Sequence, residues 1–305
     1  MSTEYIHFTA EQKEAARQTD LVALLQSQGE RLKRSGKEYV WRDGSEKVTV
    51  RGNLWFHQYE RIGGDAVDFV RRFYHMDFPQ AVKFLLGNNG SVLPQAEPIK
   101  REPPKPFTLP PKNDNMRRVY AYLLNRRGID REVLSAFVHK GMIYESADYH
   151  NAVFVGYDEH GIARHAHKRG TGSESTYKGN AESCDPRYSF HWSGTDNTLY
   201  LFEAPIDMLS FISLHKENWR SHSYAAACCV GDQVLFQMLQ ANPNIDTVCL
   251  CMDNDAAGQA ANKRISDKLF IRGIKHEILV PTHKDWNEDL LSDEQEETEC
   301  QTLQL

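Results

Sequence analysis

The stretch that most constrains this chain is Thr247-Val248-Cys249-Leu250-Cys251-Met252-Asp253-Asn254-Asp255-Ala256-Ala257-Gly258. Six mostly apolar residues end abruptly in two acids one residue apart, and a helix-forming run, Ala260 to Phe270, follows at once. The pattern predicts a parallel strand buried on both faces that delivers carboxylates to its carboxyl end, where open α/β sheets place their ligands. Two carboxylates that close repel unless something positive sits between them, and a hard divalent cation such as Mg²⁺ meets that need. For Asp253-Asn254-Asp255 alone, a strand-end turn and a helix cap remain the alternative, because Asp and Asn favour both positions.

A second stretch repeats the arrangement. Thr198-Leu199-Tyr200-Leu201-Phe202 is another buried-strand pattern, and it ends in Glu203 with Asp207 four residues on. Pro205 suits the first turn of a helix, which puts Glu203 at the strand tip and Asp207 inside that turn. Two strand ends that each offer acids predict one shared site.

At 305 residues the chain has room for about two domains. No apolar run approaches the ~20 residues of a membrane-spanning helix, and the N-terminus, with Glu4 and Glu11, does not have the pattern of a signal peptide, so a cytoplasmic protein is expected. All six cysteines lie between Cys184 and Cys300. Cys228, Cys229, Cys249 and Cys251 fall in apolar, strand-like surroundings without C-x-x-C spacing, so they read as small buried hydrophobes rather than disulfide partners or zinc ligands. Residues 1–140 hold 23 Lys and Arg against 17 Asp and Glu, and the remainder 13 against 25. A basic front and an acidic back suit a protein that holds a polyanion with one part and cations with the other, although ordinary solvated charge gives the same count.

Residues 9–29 read as a helix with Thr9 as N-cap and Gln12 at the capping-box position. Tyr39-Val40-Trp41, Lys47-Val48-Thr49-Val50 and Leu54-Trp55-Phe56-His57 read as strands joined by turns at Asp43-Gly44 and Gly52-Asn53. Gly63-Gly64-Asp65 then opens a helix, and Phe78 to Leu86 forms another. This order, with G-G-D-A-V-D-F-V at residues 63–70, resembles the N-terminal zinc-binding domain of bacterial replicative primases. That domain uses three Cys and one His, yet residues 1–183 contain no cysteine and His57 stands alone, so no zinc is expected. Packing among Trp41, Trp55, Phe56 and Phe69 has to hold the hairpins instead. Arg31, Lys33, Arg34, Lys37, Arg71 and Arg72 offer either a template contact or a solvated face.

Residues 88–112, rich in proline, read as a semi-rigid linker. Helices are expected over 116–126 and 131–140, and Phe154-Val155-Gly156 and Gly161-Ile162-Ala163 flank a turn as a hairpin would. Arg164, His165, His167, Lys168 and Arg169, followed by Tyr177 and Lys178, form a basic cluster with an interleaved aromatic, suited to phosphate and single-strand contact or to a basic loop balancing the acidic half.

Four segments carry a more specific resemblance: Leu201-Phe202-Glu203-Ala204-Pro205-Ile206-Asp207, Ala225-Ala226-Ala227-Cys228-Cys229-Val230-Gly231, Cys251 to Gly258, and Lys284-Asp285-Trp286-Asn287. In order and spacing they resemble a TOPRIM domain, the catalytic module of DnaG-type primases, topoisomerases and some nucleases. Residues 115–190 more loosely resemble the N-terminal part of the primase catalytic core. The combination is similar to TOPRIM primase-like proteins of plasmids and integrative elements. It implies an α/β fold: a TOPRIM parallel sheet flanked by helices at 197–290, an α+β primase-core subdomain at 113–196, a small α+β domain without zinc ligands at 1–87, the linker at 88–112, and an acidic tail at 291–305.

Residue by residue, the resemblance implies that Glu203, Asp207, Asp253, Asp255 and Asp285 surround Mg²⁺ or Mn²⁺, with Glu203, Asp253 and Asp255 catalytic. Asn287 stands where primases carry a further carboxylate. Arg164, Lys168, Arg169, Lys178 and Lys284 are expected to bind nucleic acid or nucleotide, since acids alone would repel both. The implied activity is synthesis of short primers on single-stranded DNA from nucleoside triphosphates, with a replicative helicase or other replication proteins as partners and no membrane. A metal-dependent nuclease using the same acids, and a weakly active single-strand-binding accessory protein, are the alternatives.

Overall fold

The computed structural model describes residues 8–43, 46–60, 62–87, 94–97, 105–228 and 231–293. Gly44 of the expected Asp43-Gly44 turn, Cys229, Val230, most of 88–104 and the acidic tail beyond residue 293 lie outside the described residues. The chain divides into two units, residues 1–103 and 104–305.

In the first unit the single helix expected over 9–29 is two. Helix α1 (Ala10–Arg17) opens with the anticipated capping box between Thr9 and Gln12. It stops before Thr19, because the Asp20 carboxylate accepts the backbone N–H groups of Val22 and Ala23 and starts α2 (Leu21–Ser27) in a new direction. An antiparallel sheet follows in chain order: β1 (Lys33–Ser35), β2 (Glu38–Asp43), β3 (Glu46–Arg51), β4 (Leu54–His57) and β5 (Gly63–Gly64). Helices α3 (Ala66–Phe73) and α4 (Phe78–Leu86) complete the unit.

Trp41, Trp55, Phe69 and Phe73 pack with ring centroids 4.8 to 6.2 Å apart. Aromatic pairs of this kind add about 0.5–1.5 kcal/mol each beyond the area they bury. Strand β4 buries Trp55 and His57 on one face and alternation turns Phe56 to the other, while Phe73 joins Trp41, Trp55 and Phe69 in the ring cluster. His57 is buried against the Phe73 ring and accepts the Glu60 N–H at Nδ1.

The second unit begins with residues 105–112, whose Phe107 and Leu109 pack on a sheet and whose Pro110 carbonyl accepts the Tyr144 hydroxyl, so this part of the proline-rich stretch is docked on the unit. Helix α5 (Arg117–Tyr120) runs into a π-helical turn (Ala121–Arg126), and α6 (Arg131–His139) follows. Strands β6 (Ile143–Glu145), β7 (Ala152–Tyr157), β8 (Ala163–Arg169) and β9 (Lys178–Asn180) form an antiparallel sheet in that order. Alternation sends Tyr144, Val153, Val155 and Ala166 toward Phe107 and Leu109, and Ile143 and Phe154 into the main core with Phe137 and Phe190.

The remainder is β10 (His191–Trp192), β11 (Thr198–Phe202), α7 (Pro205–Leu214), β12 (Ser223–Ala226), α8 (Gln233–Ala241), β13 (Thr247–Cys251), α9 (Ala256–Ile271) and β14 (Lys275–Ile278). The sheet order is β10-β12-β11-β13-β14, with the last four strands parallel and β10 antiparallel to β12. On β13, Val248 and Leu250 share a core with Val234 and Leu235 of α8 and Ile265 and Leu269 of α9, while Cys249 and Cys251 face the core that contains α7. Helices on both faces explain why the strand is apolar throughout. From β11 the chain passes to β12 on one side and then to β13 on the other, which makes the carboxyl end of β11 a topological switch point. Among the described residues no helix is long and apolar enough to cross a membrane.

Candidate metal and phosphate site

Strands β11 and β13 are hydrogen-bonded neighbours with Phe202 opposite Cys251, so Glu203 and Asp253 leave the same edge of the sheet. Asp207 sits in the first turn of α7 behind Pro205, as expected, and is buried. Asp255 is the N-cap of α9, its Oδ1 accepting the N–H groups of Ala257 at 2.9 Å and Gly258 at 2.8 Å. The cap reading of Asp253-Asn254-Asp255 is therefore correct for Asp255, and it coexists with a cluster of acids whose charges act on one another. Gly258 is required for this packing, since a Cβ there would lie 2.0 Å from the Asp253 carbonyl oxygen.

The fifth carboxylate, Asp285, is brought in by stitching. The Asn254 N–H donates to the Lys284 carbonyl at 2.8 Å, the Asn254 side chain to the Pro281 carbonyl, and the Trp286 indole N–H to the Cys251 carbonyl at 3.0 Å. Asp285 accepts the Glu288 N–H, capping the helix over 286–293. Glu203, Asp207, Asp253 and Asp285 then line one pocket of about 170 Å³, whose other walls include Arg169, Lys178 and Lys284. Asp255 acts on the pocket through its charge, raising the pKa of both Glu203 and Asp253.

Arg164 and Lys168 do not reach this pocket. The basic cluster lies along β8, and its two-residue period sends His165, His167 and Arg169 to one face and Arg164 and Lys168 to the other. Arg164 instead pairs with Asp158 at 2.7 Å.

The electrostatics record crowding. Burial, reinforced by Glu203, Asp285 and Asp255 and eased by Lys178, pushes the Asp253 carboxyl up to about 7. Burial raises Glu203 too, against the pull of Lys178 and Lys284. Asp207 lies well above the usual carboxylate range because it is buried beside Asp253, Asp285 and Glu203, with Arg127 opposing. Asp253 Oδ1 is buried and has no hydrogen-bond partner among the described residues. Crowded, partly protonated acids with an orphaned oxygen are what a hard cation relieves, so the residues present fit Mg²⁺ or Mn²⁺. Among the described residues no three His, Cys, Asp or Glu side chains already converge as a finished cage. Mg²⁺ tolerates that, since it commonly binds through one or two carboxylates and completes its shell with water and phosphate oxygens.

The sequence did not single out Arg127, and it gave Asn287 and His167 no bonding partners. Arg127 projects from the end of the π-helical turn, donating from Nε to the Tyr122 hydroxyl at 3.0 Å and from Nη1 to Asn287 Oδ1 at 2.9 Å. Its signal was the Arg126-Arg127-Gly128 run, which read only as a helix end. Asn287 is 3% exposed and donates to the Arg127 carbonyl at 2.7 Å and to Ser210 Oγ at 3.0 Å. An aspartate could not make either donation, which explains the amide at this position. His167 lines the pocket as a neutral base: burial lowers its pKa to about 4, and Nδ1 bonds Asn180 Oδ1, whose amide nitrogen donates to the Cys228 carbonyl. That network assigns the proton to Nδ1. Gly231, after β12, has φ of 125°, a conformation side chains disfavour.

Comparison with known proteins gives two family matches. Residues 121–196 match a protein of unknown function, DUF3991, and residues 200–290 match the Toprim-like family. An uncharacterized Bacillus anthracis protein is 25% identical over 274 residues, covering 85% of this chain and 79% of its own length. Among solved structures, the primase fragment of the bacteriophage T7 primase-helicase protein is 20% identical, with a TM-score of 0.42 over 59% of this chain and 73% of that one. The Aquifex aeolicus primase, comprising zinc-binding and RNA polymerase domains, is 15% identical, with a TM-score of 0.40 over 96% of this chain and 84% of that one. Residues 200–290, which carry Glu203, Asp207, Asp253, Asp255 and Asp285, are a Toprim-like domain.

Proposed function

We propose that this chain is a metal-dependent, primase-like nucleotidyltransferase that joins nucleotides on a single-stranded DNA template. The observation that carries the reading is the buried, partnerless Asp253 oxygen among four carboxylates, faced across one pocket by Arg169, Lys178 and Lys284. Acids that gather a cation and bases that gather phosphate are both needed for phosphoryl transfer, and neither set alone would suffice.

Glu203, Asp253 and Asp285, with Asp255 and Asp207 alongside, would hold Mg²⁺ or Mn²⁺; bound there, such a cation neutralises phosphate charge and makes a hydroxyl easier to deprotonate. Arg169 and Lys178 sit opposite each other in the β8–β9 pairing and present adjacent cations to a triphosphate. Lys284, next to Asp285, offers a third. Arg127 is held by Tyr122 and Asn287 at the base of the pocket, where it offsets the buried charge of Asp207. His167 is neutral at physiological pH, so it adds no cation and can accept a hydrogen bond at Nε2.

The test is incubation with single-stranded DNA, labelled ribonucleotides and Mg²⁺ or Mn²⁺, comparing wild type with Asp253→Asn. Short labelled products from wild type alone support the reading. Shortened DNA without nucleotide incorporation would replace it with a nuclease. The structural engagement of Asn287, an amide where primases carry a carboxylate, favours one other reading, a strand-binding protein of weak activity. Metal-independent binding without turnover would identify it.

A further inference from the structure

On the face of the β6–β9 sheet opposite the acidic pocket lies a cleft of about 550 Å³, lined by Tyr149, Tyr177, Arg118, Lys168, Asn151 and Thr171 among others. The metal and phosphate site uses none of them. Two features set the cleft apart from an ordinary polar surface. Tyr149 is 89% exposed, and Tyr177 is 45% exposed with Lys168 Nζ 5.7 Å from its ring centre. A loop tip that leaves a large aromatic ring almost wholly in water gains nothing in packing from it.

The second feature is the backbone beneath that ring. Tyr149 and His150 have φ values of 61° and 52°, consecutive left-handed residues that L side chains disfavour. The surroundings enforce this conformation: His150 Nδ1 bonds the buried Glu145 carboxylate at 2.7 Å, and the Thr171 hydroxyl donates to the His150 carbonyl at 2.8 Å. Glu145 also accepts the backbone N–H groups of Arg118 and Val119, so one buried acid fixes both the tyrosine loop and the segment that carries Arg118. Strain maintained by a dedicated network to display an unpacked side chain marks a functional position.

We infer that this cleft binds a nucleobase of a single-stranded nucleic acid, stacked on Tyr149 and Tyr177, with the adjoining phosphates on Arg118 and Lys168. Rings without cations would suit an apolar ligand, and cations without rings a bare phosphate; the combination matches a nucleotide unit. Asn151 and Thr171 add donors and acceptors for a base edge. The cleft is also mechanically joined to the acidic pocket. Lys168 and Arg169 are successive residues of β8 that serve opposite faces, and Arg126 donates to the Gly172 and Ser173 carbonyls of the loop bordering the cleft, while Arg127 reaches the acids. The inference rests on the reading that the chain works on nucleic acid, and its test is separate from turnover.

The experiment is fluorescence anisotropy of labelled oligothymidylate, in EDTA, with the full chain and its Tyr149→Ala, Tyr177→Ala, Tyr149→Phe and Tyr177→Phe variants. Each alanine variant is expected to weaken binding about tenfold, the scale of a lost base–aromatic stack, while each phenylalanine variant binds like wild type. An abasic strand of equal length should bind wild type about tenfold more weakly than oligothymidylate, and that gap should shrink in the alanine variants. Thymidine monophosphate is the competitor that separates sources. If it displaces the strand from wild type at concentrations near the strand's own dissociation constant, the cleft takes a free nucleotide and the strand assignment is overturned. Equal binding of abasic and normal strands, or alanine variants that bind like wild type, would overturn the stacking role. Strand binding in EDTA is scored without turnover, so failed primer synthesis and failed strand binding remain distinguishable. Both tyrosines are exposed, and unchanged melting temperatures identify the variants as folded.

Discussion

Replacing Asp253 by asparagine is expected to stabilise the metal-free protein at alkaline pH. In the folded chain the Asp253 carboxyl is pushed from its ordinary 3.8 to about 7, chiefly by burial and then by Glu203, Asp285 and Asp255. Because the folded value is the higher one, the native state binds this proton more tightly than the unfolded chain. The stabilisation is complete below about pH 4 and is lost as pH rises toward 7. At 1.36 kcal/mol per pH unit the full difference corresponds to a ceiling of about 4 kcal/mol. Asp253 is only partly buried and shares its repulsion with three other acids, so solvent screening reduces this to about 1–2 kcal/mol. Asparagine keeps the shape and removes the charge.

The assay is thermal unfolding of wild type and Asp253→Asn in EDTA between about pH 4 and pH 8.5. The variant should melt a few degrees higher at the alkaline end, at about 2–4 °C per kcal/mol for a unit of this size, and the difference should vanish near pH 4. Adding Mg²⁺ or Mn²⁺ at about pH 8 should raise the wild-type midpoint and close the gap, because a ligand that binds only the native state stabilises by mass action. A variant no more stable than wild type at pH 8, or a difference independent of pH, would refute the claim that the four acids form one repulsive cluster. A wild type indifferent to both cations would refute the metal assignment.

Gly258→Ala should destabilise by about 1–3 kcal/mol and weaken the Mg²⁺ response, because its Cβ would press on the Asp253 carbonyl; denaturant unfolding with and without Mg²⁺ measures both. Asn287→Asp, although it introduces the carboxylate expected from the resemblance, should cost about 2–3 kcal/mol and leave cation affinity no better, because the Arg127 carbonyl and Ser210 lose their donor; calorimetric titration with Mn²⁺ checks this. His167 should remain neutral until pH falls to about 4, and its lowered pKa means it destabilises the fold as pH drops below its ordinary 6.5; its imidazole ¹⁵N shifts report the midpoint. Phe69→Ala should cost the first unit about 3–5 kcal/mol, since Phe69 contacts Trp41, Trp55 and Phe73 in one cluster, as circular dichroism melting would show.

Much of the acidic side of the site was legible because parallel strands covered on both faces read as unbroken apolar runs, and the first polar residue after such a run marks the sheet edge. Thr198 to Glu203 and Thr247 to Asp253 are such runs, and their pairing as neighbours followed. The basic side was harder. Arg164 to Arg169 reads as one cluster along the chain, but a strand divides its residues between two faces, so Arg169 serves the acids and Lys168 the tyrosine cleft. Arg127 was hidden by the π-helical turn, whose Arg127 N–H bonds the Tyr122 carbonyl five residues back; the wider turn rotates the side chain away from where an α-helical count would put it. Asn287 could be recognised as a departure from a pattern, but its partners, Arg127 and Ser210, come from distant segments that only the fold brings together.

The division of labour between the two halves of the second unit has a physical logic. Acids on the β11 and β13 tips and in the 281–286 loop belong to the Toprim-like domain, whereas Arg127, His167, Arg169 and Lys178 come from residues that precede it. A pocket built from acids alone would have to protonate, as the raised pKa values of Glu203, Asp207 and Asp253 show, and it would repel a polyanion. A pocket built from bases alone would bind phosphate without holding a cation. Setting the two against each other, with Asn287 bonded across the junction to Arg127 and within its own domain to Ser210, lowers the repulsion on both sides and leaves one need unmet among the described residues, a partner for Asp253 Oδ1. A divalent cation carrying a phosphate satisfies that need and uses the bases at the same time. Cation and nucleotide should therefore bind cooperatively, each raising the other's affinity by the same factor, as linkage requires. Calorimetric titration of Mn²⁺ with and without a non-hydrolysable nucleotide measures that factor, and a value of one would mean that the two sets of charges do not act on a common ligand.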